Sequence, residues 1–177
     1  MRKKVVSAIL CASMVAGMVV IPGVAVKADD KKLIGVTMPT KDLQRWNQDG
    51  ENMKKELEAA GYEVDLQYAS NDVSTQVSQL ENQVANGCDL LVVASIDGSS
   101  LGEPLKQAKE AGIPVILSDR QMQLSDDSLY EAWVGGNFVK EGETCGDWLA
   151  KYLEDQGRGD EEINMVTIQG TIGASAQ

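Results

Sequence analysis

The chain has 177 residues, enough for one domain or for one domain and part of another. Its 16 basic and 27 acidic residues give a formal net charge of −11, which disfavours binding to nucleic acids and to anionic membrane surfaces. The chain contains no histidine, so Ser-His and Cys-His catalysis and histidine-ligated metal sites are excluded within it.

The N-terminus has the layout of a secretory signal peptide. Basic residues at positions 2–4 precede an apolar run over residues 5–20, and small residues lead up to Ala28. This pattern predicts a signal peptide over residues 1–28 and an exported protein, in the periplasm or at the outer face of the cell envelope. A permanent membrane anchor is the alternative, but the apolar run is short for a membrane span.

Strands and helices are predicted to alternate after the signal. Short apolar runs indicate strands over residues 33–38, 64–69, 90–94 and 114–117. Apolar residues at helical spacing lie between these runs, and each predicted helix ends at a glycine, Gly61, Gly87 or Gly112. This βαβ repeat predicts an α/β fold, with a doubly wound parallel sheet covered by helices on both faces. We expect residues 90–94 to form a central strand buried on both sides.

The pattern changes after Arg120. A polar stretch leads to a predicted short strand over residues 132–135, then to a helix and a last strand over residues 163–168. We therefore predict an N-terminal α/β lobe over residues 29–124 and the start of a C-terminal α/β lobe over residues 125–177. Two strands and one helix cannot bury both faces of a sheet, so we expect this second lobe, and the chain, to be incomplete at the C-terminus.

Two cysteine and two tryptophan residues that follow the predicted signal peptide fit core positions. Cys88 lies next to a predicted strand and Cys145 lies on the apolar side of the last helix. A disulfide between them is one alternative in an exported protein, but their positions favour two buried free thiols. Trp133 and Trp148 also fit the core.

Polar side chains follow the predicted strands at the edge where ligands bind in doubly wound sheets. They offer paired hydrogen-bonding groups that match the adjacent hydroxyls of a sugar, and these residues are Arg45, Asp97, Asp119, Arg120 and Asn137. The Trp46 ring would suit the apolar face of the same sugar. The chain has no Gly-x-Gly-x-x-Gly motif after the first strand, no phosphate loop and no acidic cluster with metal spacing. We therefore predict no cofactor, no metal site and no catalytic residue.

Each candidate also has a structural interpretation. Asp119-Arg120 could be a solvated ion pair in a loop, and Asp97 could form a turn before Gly98. Arg45 could be ordinary surface charge. Trp46 could belong to the core stripe of its helix, and the residues alone favour that interpretation.

Several motifs together resemble the periplasmic sugar-binding proteins of ABC transporters, in particular the xylose-binding and multiple-monosaccharide-binding branch. The resemblance runs from about residue 32 to the end, and its carriers are Arg45-Trp46 and residues 79–82, 87–93, 94–98, 114–120 and 170–176. The chain departs from that family at Gly135-Gly136, where relatives often have an aromatic residue and an aspartate. Family members are also roughly twice as long.

The resemblance implies two lobes that close on a monosaccharide. Arg45, Asp97, Asp119, Arg120 and Asn137 would bind sugar hydroxyls, and Trp46 would line the cleft. The implied partners are the membrane permease of an ABC importer or, alternatively, a membrane receptor that senses the sugar. A third hypothesis is an exported hydrolase that uses the Asp97 and Asp119 carboxylates.

Overall fold

The computed structural model describes residues 31–170 and residue 172, so the predicted signal peptide lies outside the described residues. Strands and helices alternate along most of this part of the chain. In chain order they are β1 (Leu33–Met38), α1 (Gln44–Ala59), β2 (Glu63–Tyr68), α2 (Val73–Ala85), β3 (Leu90–Val93), α3 (Gly102–Glu110), β4 (Val115–Ser118), a short 3-10 helix (Asp127–Leu129), β5 (Ala132–Val134) and α4 (Phe138–Asp155).

The five strands form one parallel sheet in the order β2-β1-β3-β4-β5. The predicted α/β class and the four strands from β1 to β4 are confirmed, each to within a residue or two. The three glycines predicted to end helices α1 to α3 all adopt positive φ, between 73° and 98°. These left-handed residues let the chain turn back from each helix toward the next strand.

Apolar residues pack on both faces of the sheet. Helices α2 and α3 cover one face, where Leu80, Leu91 and Leu105 are fully buried. Helix α1 covers the other face around Val36 and Met38. The sheet is therefore wound on both sides, as predicted.

Strand β3 lies at the centre of the sheet, but only one of its faces is fully covered. Leu91 and Val93 are buried under α2 and α3, whereas Leu90 and Val92 on the opposite face are only half-buried. Helix α1 is the helix that packs on that opposite face, and it lies mainly against β1 and β2. The prediction that both sides of residues 90–94 are buried is therefore wrong for one side.

The strand predicted to begin a second lobe belongs to the first sheet. Residues 132–134 form β5, which pairs in parallel with β4. Hydrogen bonds from Glu131 N to Val115 O (2.8 Å) and from Asp119 N to Val134 O (2.7 Å) hold this edge. The predicted lobe division at residue 124 thus does not coincide with a break in the sheet. Residues 163–168 form no strand, because no neighbouring strand pairs with them within the described part of the chain.

Helix α4 carries the predicted apolar side but has no buried residue. Trp148 is 65% exposed and stacks on Tyr152, with 5.3 Å between ring centroids. Cys145 is exposed as well, so the core positions predicted for Trp148 and Cys145 are wrong. Within the described residues no sheet face covers this helix, and the pattern on the helix alone could not show that.

Cys88 agrees with its prediction. It is a buried free thiol, and burial raises its pKa to about 11. None of the described helices is long and apolar enough to cross a membrane.

Candidate functional site

An ion pair joins the first turn of α1 to the loop that follows β4. Arg45, in the first turn of α1, donates from Nη2 to Asp119 Oδ1, and its Nε donates to Asp49 Oδ2 at 3.2 Å. The bond to Asp119 raises the pKa of Arg45 above its ordinary value. The Arg45 side chain is 59% exposed and the Asp119 side chain only 13%. A carboxylate thus lies at the sheet edge with a guanidinium at its solvent side.

Trp46 supports two arginines. The Arg45 Cζ atom lies 4.6 Å and the Arg120 Cζ atom 5.1 Å from the ring centroid, within the range of cation–π attraction. The Trp46 residue itself is only 4% exposed and packs in the core beneath α1. It therefore presents little surface in this structure, and the cleft-lining role that the resemblance implied stays a prediction.

Arg120 ties the β4 loop to the β3 loop. Its Nη1 donates to the carbonyl oxygens of Ser95 at 3.0 Å and Ile96 at 2.9 Å. Burial lowers the pKa of Arg120, although the nearby Asp119 carboxylate acts in the opposite direction. An arginine remains protonated after such a shift, so a fixed positive charge lies beside Asp119.

A buried glutamine that the sequence analysis missed fixes the β3 loop. Gln76 on α2 donates from Nε2 to Ala94 O at 2.9 Å and accepts from Ile96 N at 3.0 Å. It is fully buried, as are Leu80 and Gln83 one and two turns further along the helix. These three residues lie at i, i+4 and i+7, on one face of α2. That spacing was the signal available in the sequence.

Asp97 forms a turn in the structure. Its Oδ1 accepts from the amides of Ser99 (2.8 Å) and Ser100 (2.7 Å), and its Oδ2 accepts from the Ser100 hydroxyl. Burial alone would raise the pKa of Asp97, but these hydrogen bonds outweigh it and the pKa is lowered. These contacts support the interpretation of Asp97 as a turn-forming residue. The argument that Asp97 also binds a ligand depends on its position next to Ser95 and Ile96, whose carbonyl oxygens accept from Arg120.

Asn137 caps helix α4. Its Oδ1 accepts from Lys140 N at 3.0 Å. It also lines a small cavity of about 130 Å³ with Gln121, Trp133 and Phe138. The structure thus brings together Arg45, Trp46, Asp119 and Arg120, and places Asp97 and Asn137 in the adjoining loops.

Asp119 has an unusual backbone conformation. Its φ is 61°, in the left-handed region that few residues other than glycine adopt. Strand β5 holds both of its backbone polar groups, because Asp119 N donates to Val134 O and Asp119 O accepts from Trp133 Nε1 at 3.2 Å. Strain of this kind concentrates at functional sites.

This cluster suits the recognition of a neutral polyol. A carboxylate accepts from hydroxyl donors and a guanidinium donates to hydroxyl oxygens, so adjacent hydroxyls match the paired groups of Asp119, Arg45 and Arg120. No group of His, Cys, Asp or Glu in the described residues has the arrangement of a metal site. A groove of about 780 Å³ beside α3 contains none of the predicted ligand-binding residues. We therefore take the open cluster at the sheet edge as the candidate site.

The family model of the periplasmic binding protein domain matches residues 34–177. Among curated proteins, the multiple sugar-binding periplasmic receptor ChvE of Rhizobium radiobacter is 43% identical over 130 residues, which are 73% of this chain and 36% of ChvE. The D-xylose-binding periplasmic protein of Escherichia coli is 32% identical over 155 residues, 88% of this chain and 43% of that protein.

A solved structure of similar fold is the ABC transporter solute binding protein from Clostridium phytofermentans with bound β-D-glucose. It is 54% identical, with a TM-score of 0.64 over 71% of this chain and 38% of that one. The chain thus spans less than half the length of the relatives it matches. The resemblance stated from the sequence is confirmed, and the chain belongs to the periplasmic binding protein domain family.

Proposed function

We propose that this chain is the sugar-binding component of an ABC importer and that the Asp119 cluster binds a monosaccharide. The observation that carries the proposal is the Asp119 carboxylate, held 13% exposed at the sheet edge between Arg45 and Arg120. Charged groups in a partly buried setting bond neutral hydroxyls more strongly than neutral groups do. Asp97 and Asn137 would complete the contacts from the neighbouring loops.

The names of the relatives support this assignment. ChvE is a sugar-binding receptor, a second relative binds D-xylose and a solved relative holds β-D-glucose. Their periplasmic location and the apolar N-terminal run support export of this chain through the predicted signal peptide. We place its partner in the membrane, as the permease of the importer. Closure of two lobes about a hinge would then enclose the sugar.

Binding without turnover fits the chemistry of the carboxylates. A glycosidase needs an acid with a raised pKa beside a second carboxylate. The pKa of Asp97 is lowered, and both of its oxygens accept hydrogen bonds from the Ser99–Ser100 turn. Asp97 therefore lacks the proton that a general acid must donate near neutral pH, which argues against the hydrolase hypothesis.

Calorimetric titration with a panel of pentoses and hexoses tests the proposal. We expect at least one sugar to release heat on binding, and Asp119→Asn to weaken that binding. Asp127→Asn is the matched control, because Asp127 is an exposed carboxylate in the 3-10 helix away from the cluster. Labelled sugar incubated with the protein should be recovered unchanged. Heat from none of the sugars, or equal binding by Asp119→Asn, would overturn the proposal, and a cleaved product would favour the hydrolase.

The sensing role remains a second candidate, because ChvE is a receptor by name. The two roles differ in the membrane partner. Uptake of labelled sugar that depends on this chain supports the importer, whereas a sugar response without uptake supports a sensor.

A further inference from the structure

We infer that Trp133 and Gly135, neither of which belongs to the predicted site, are positioning residues that set the direction of the Asp119 carboxylate. This inference rests on the proposed function, since it explains how that site discriminates between sugars. It concerns strand β5 and the residue directly after it, which the sequence did not connect with Asp119.

The Trp133 indole anchors the Asp119 backbone. Its Nε1 donates to Asp119 O at 3.2 Å, while Asp119 N donates to Val134 O at 2.7 Å. Both backbone polar groups of Asp119 are thereby held by β5. The Trp133 ring packs against the buried core under α3, so the anchor is connected to a rigid part of the molecule.

Gly135 provides the space that this anchor needs. A Cβ atom at position 135 would lie 2.7 Å from Trp133 Nε1 and 2.9 Å from the Asp119 carbonyl carbon, and closer still to the carbonyl oxygen. Carbon atoms do not approach a backbone carbonyl this closely, so any side chain would displace Asp119 or the indole. Gly135 is itself solvent-exposed, and the three atoms nearest to that Cβ all belong to Asp119 and Trp133.

The position of Asp119 determines what the site can recognise. Its left-handed φ of 61° turns the residue away from the line of β4 and brings its carboxylate onto Arg45. Sugars that are epimers differ in the direction of a single hydroxyl. A site built to hydrogen-bond a substrate hydroxyl discriminates strongly against an analogue that does not match it. A carboxylate displaced by even a fraction of an ångström would lose that selectivity as well as affinity.

Two substitutions test the inference by calorimetry with the sugar that the wild-type chain binds. Trp133→Phe keeps an aromatic ring and removes the N–H donor, and Gly135→Ala adds the obstructing Cβ. We expect each to lower affinity about tenfold, the scale of one hydrogen bond, and to narrow the preference between that sugar and its epimers. The matched controls are Trp148→Phe and Gly142→Ala on α4, where Trp148 is exposed and a Cβ at Gly142 meets nothing within 4 Å.

A double substitution separates positioning from general stability. If Trp133 acts through Asp119, Trp133→Phe should cause no further loss of affinity in an Asp119→Ala background. A loss of the same size in both backgrounds would overturn the inference. Unchanged affinity and unchanged epimer preference in both single variants would overturn it too, while leaving the proposed function intact.

A third measurement does not depend on sugar. Trp46, Trp133 and Trp148 each give one indole N–H signal in a proton–nitrogen NMR spectrum, which Trp→Phe variants assign. We expect the Trp133 proton to exchange slowly in the wild type and rapidly in Gly135→Ala. If the wild type binds no sugar, the proposed function fails and this signal alone decides whether β5 positions Asp119. Rapid exchange in the wild type would overturn the inference.

Discussion

Asp119 and Arg45 form one ion pair but differ in their access to water. Asp119 is 13% exposed and Arg45 59% exposed. In the proposed site, removing the partly buried carboxylate in Asp119→Ala leaves the sugar hydroxyls without their acceptor, which costs about 2 kcal/mol of binding free energy or more. Water can replace the exposed guanidinium in Arg45→Ala. We therefore expect the larger loss of affinity from Asp119→Ala by titration calorimetry, and equal or reversed losses would contradict this ranking.

Asp97 makes the stability of the chain depend on pH. Its folded-state pKa is lowered, whereas in the unfolded chain it has the ordinary value of about 3.9. The ionised form is therefore favoured by folding, and its contribution is present above about pH 4 and is lost as the pH falls through the folded value. Asn is isosteric but uncharged, so the wild type should exceed Asp97→Asn in melting temperature at pH 7. This difference should shrink at pH 3, and a constant difference would contradict the assignment.

The sequence predicted which residues lie at the candidate site where it was sufficient to know that they follow the carboxyl end of a strand. The carboxyl ends of parallel strands meet at one edge, and that rule placed Arg45, Asp119 and Arg120 close together. Contacts that depend on which strands pair were not predictable. The Trp133–Asp119 hydrogen bond requires β5 to lie next to β4, and no local pattern in the sequence states that pairing.

At the scale of elements, a second buried glutamine joins α2 to the sheet. Gln83 accepts from Thr37 Oγ1 at 2.9 Å on β1 and donates to Asp65 O at 3.0 Å on β2. Gln83→Leu would leave the Thr37 hydroxyl and the Asp65 carbonyl oxygen without their hydrogen-bond partner. We expect this loss to lower the free energy of unfolding by about 1–3 kcal/mol. Gln48→Leu is the control, because Gln48 is exposed on α1 and should shift stability by about 0.5 kcal/mol or less. Chemical denaturation measures both, and equal shifts would show that the buried network is not required.

The elements themselves were predicted where the period of apolar residues was clear. Strands β1 to β4 and helices α1 to α3 follow from alternating apolar runs and stripes bounded by glycines. Strand β5 has only three residues, so its length carries little signal, and its pairing with β4 could not be predicted from it. Gln76 and Gln83 were missed because polar residues on a buried face depend on partners from other elements.

At the scale of the whole molecule, apolar surface is distributed unevenly. The face of the sheet under α2 and α3 is densely packed, whereas the opposite face near Leu90, Val92 and Ile116 is only half-buried. A groove of about 510 Å³ runs there between α1 and Val92. The periodicity of the sequence predicts which residues are apolar, but the extent of their coverage follows from where α1 packs.

Helix α4 has the most exposed aromatic surface in the described chain. Trp148 and Tyr152 stack on each other at 65% and 47% exposure, and Val139 on the same helix is 74% exposed. Exposed apolar patches of this kind promote association, while the net charge of −11 opposes it. We therefore expect the chain to self-associate reversibly, and more strongly at high salt, where charge repulsion is screened.

Sedimentation velocity over a range of protein and salt concentrations tests this expectation. The double variant Trp148→Lys/Tyr152→Lys removes the stacked pair and should sediment as a smaller species than the wild type at the same concentration. Gly146→Lys/Ala150→Lys adds the same two charges, with the same spacing, at exposed positions on another side of α4. This control variant keeps the aromatic pair, so any decrease in its association comes from the added charge alone. If both variants behave alike, charge controls association and the exposed aromatic surface does not.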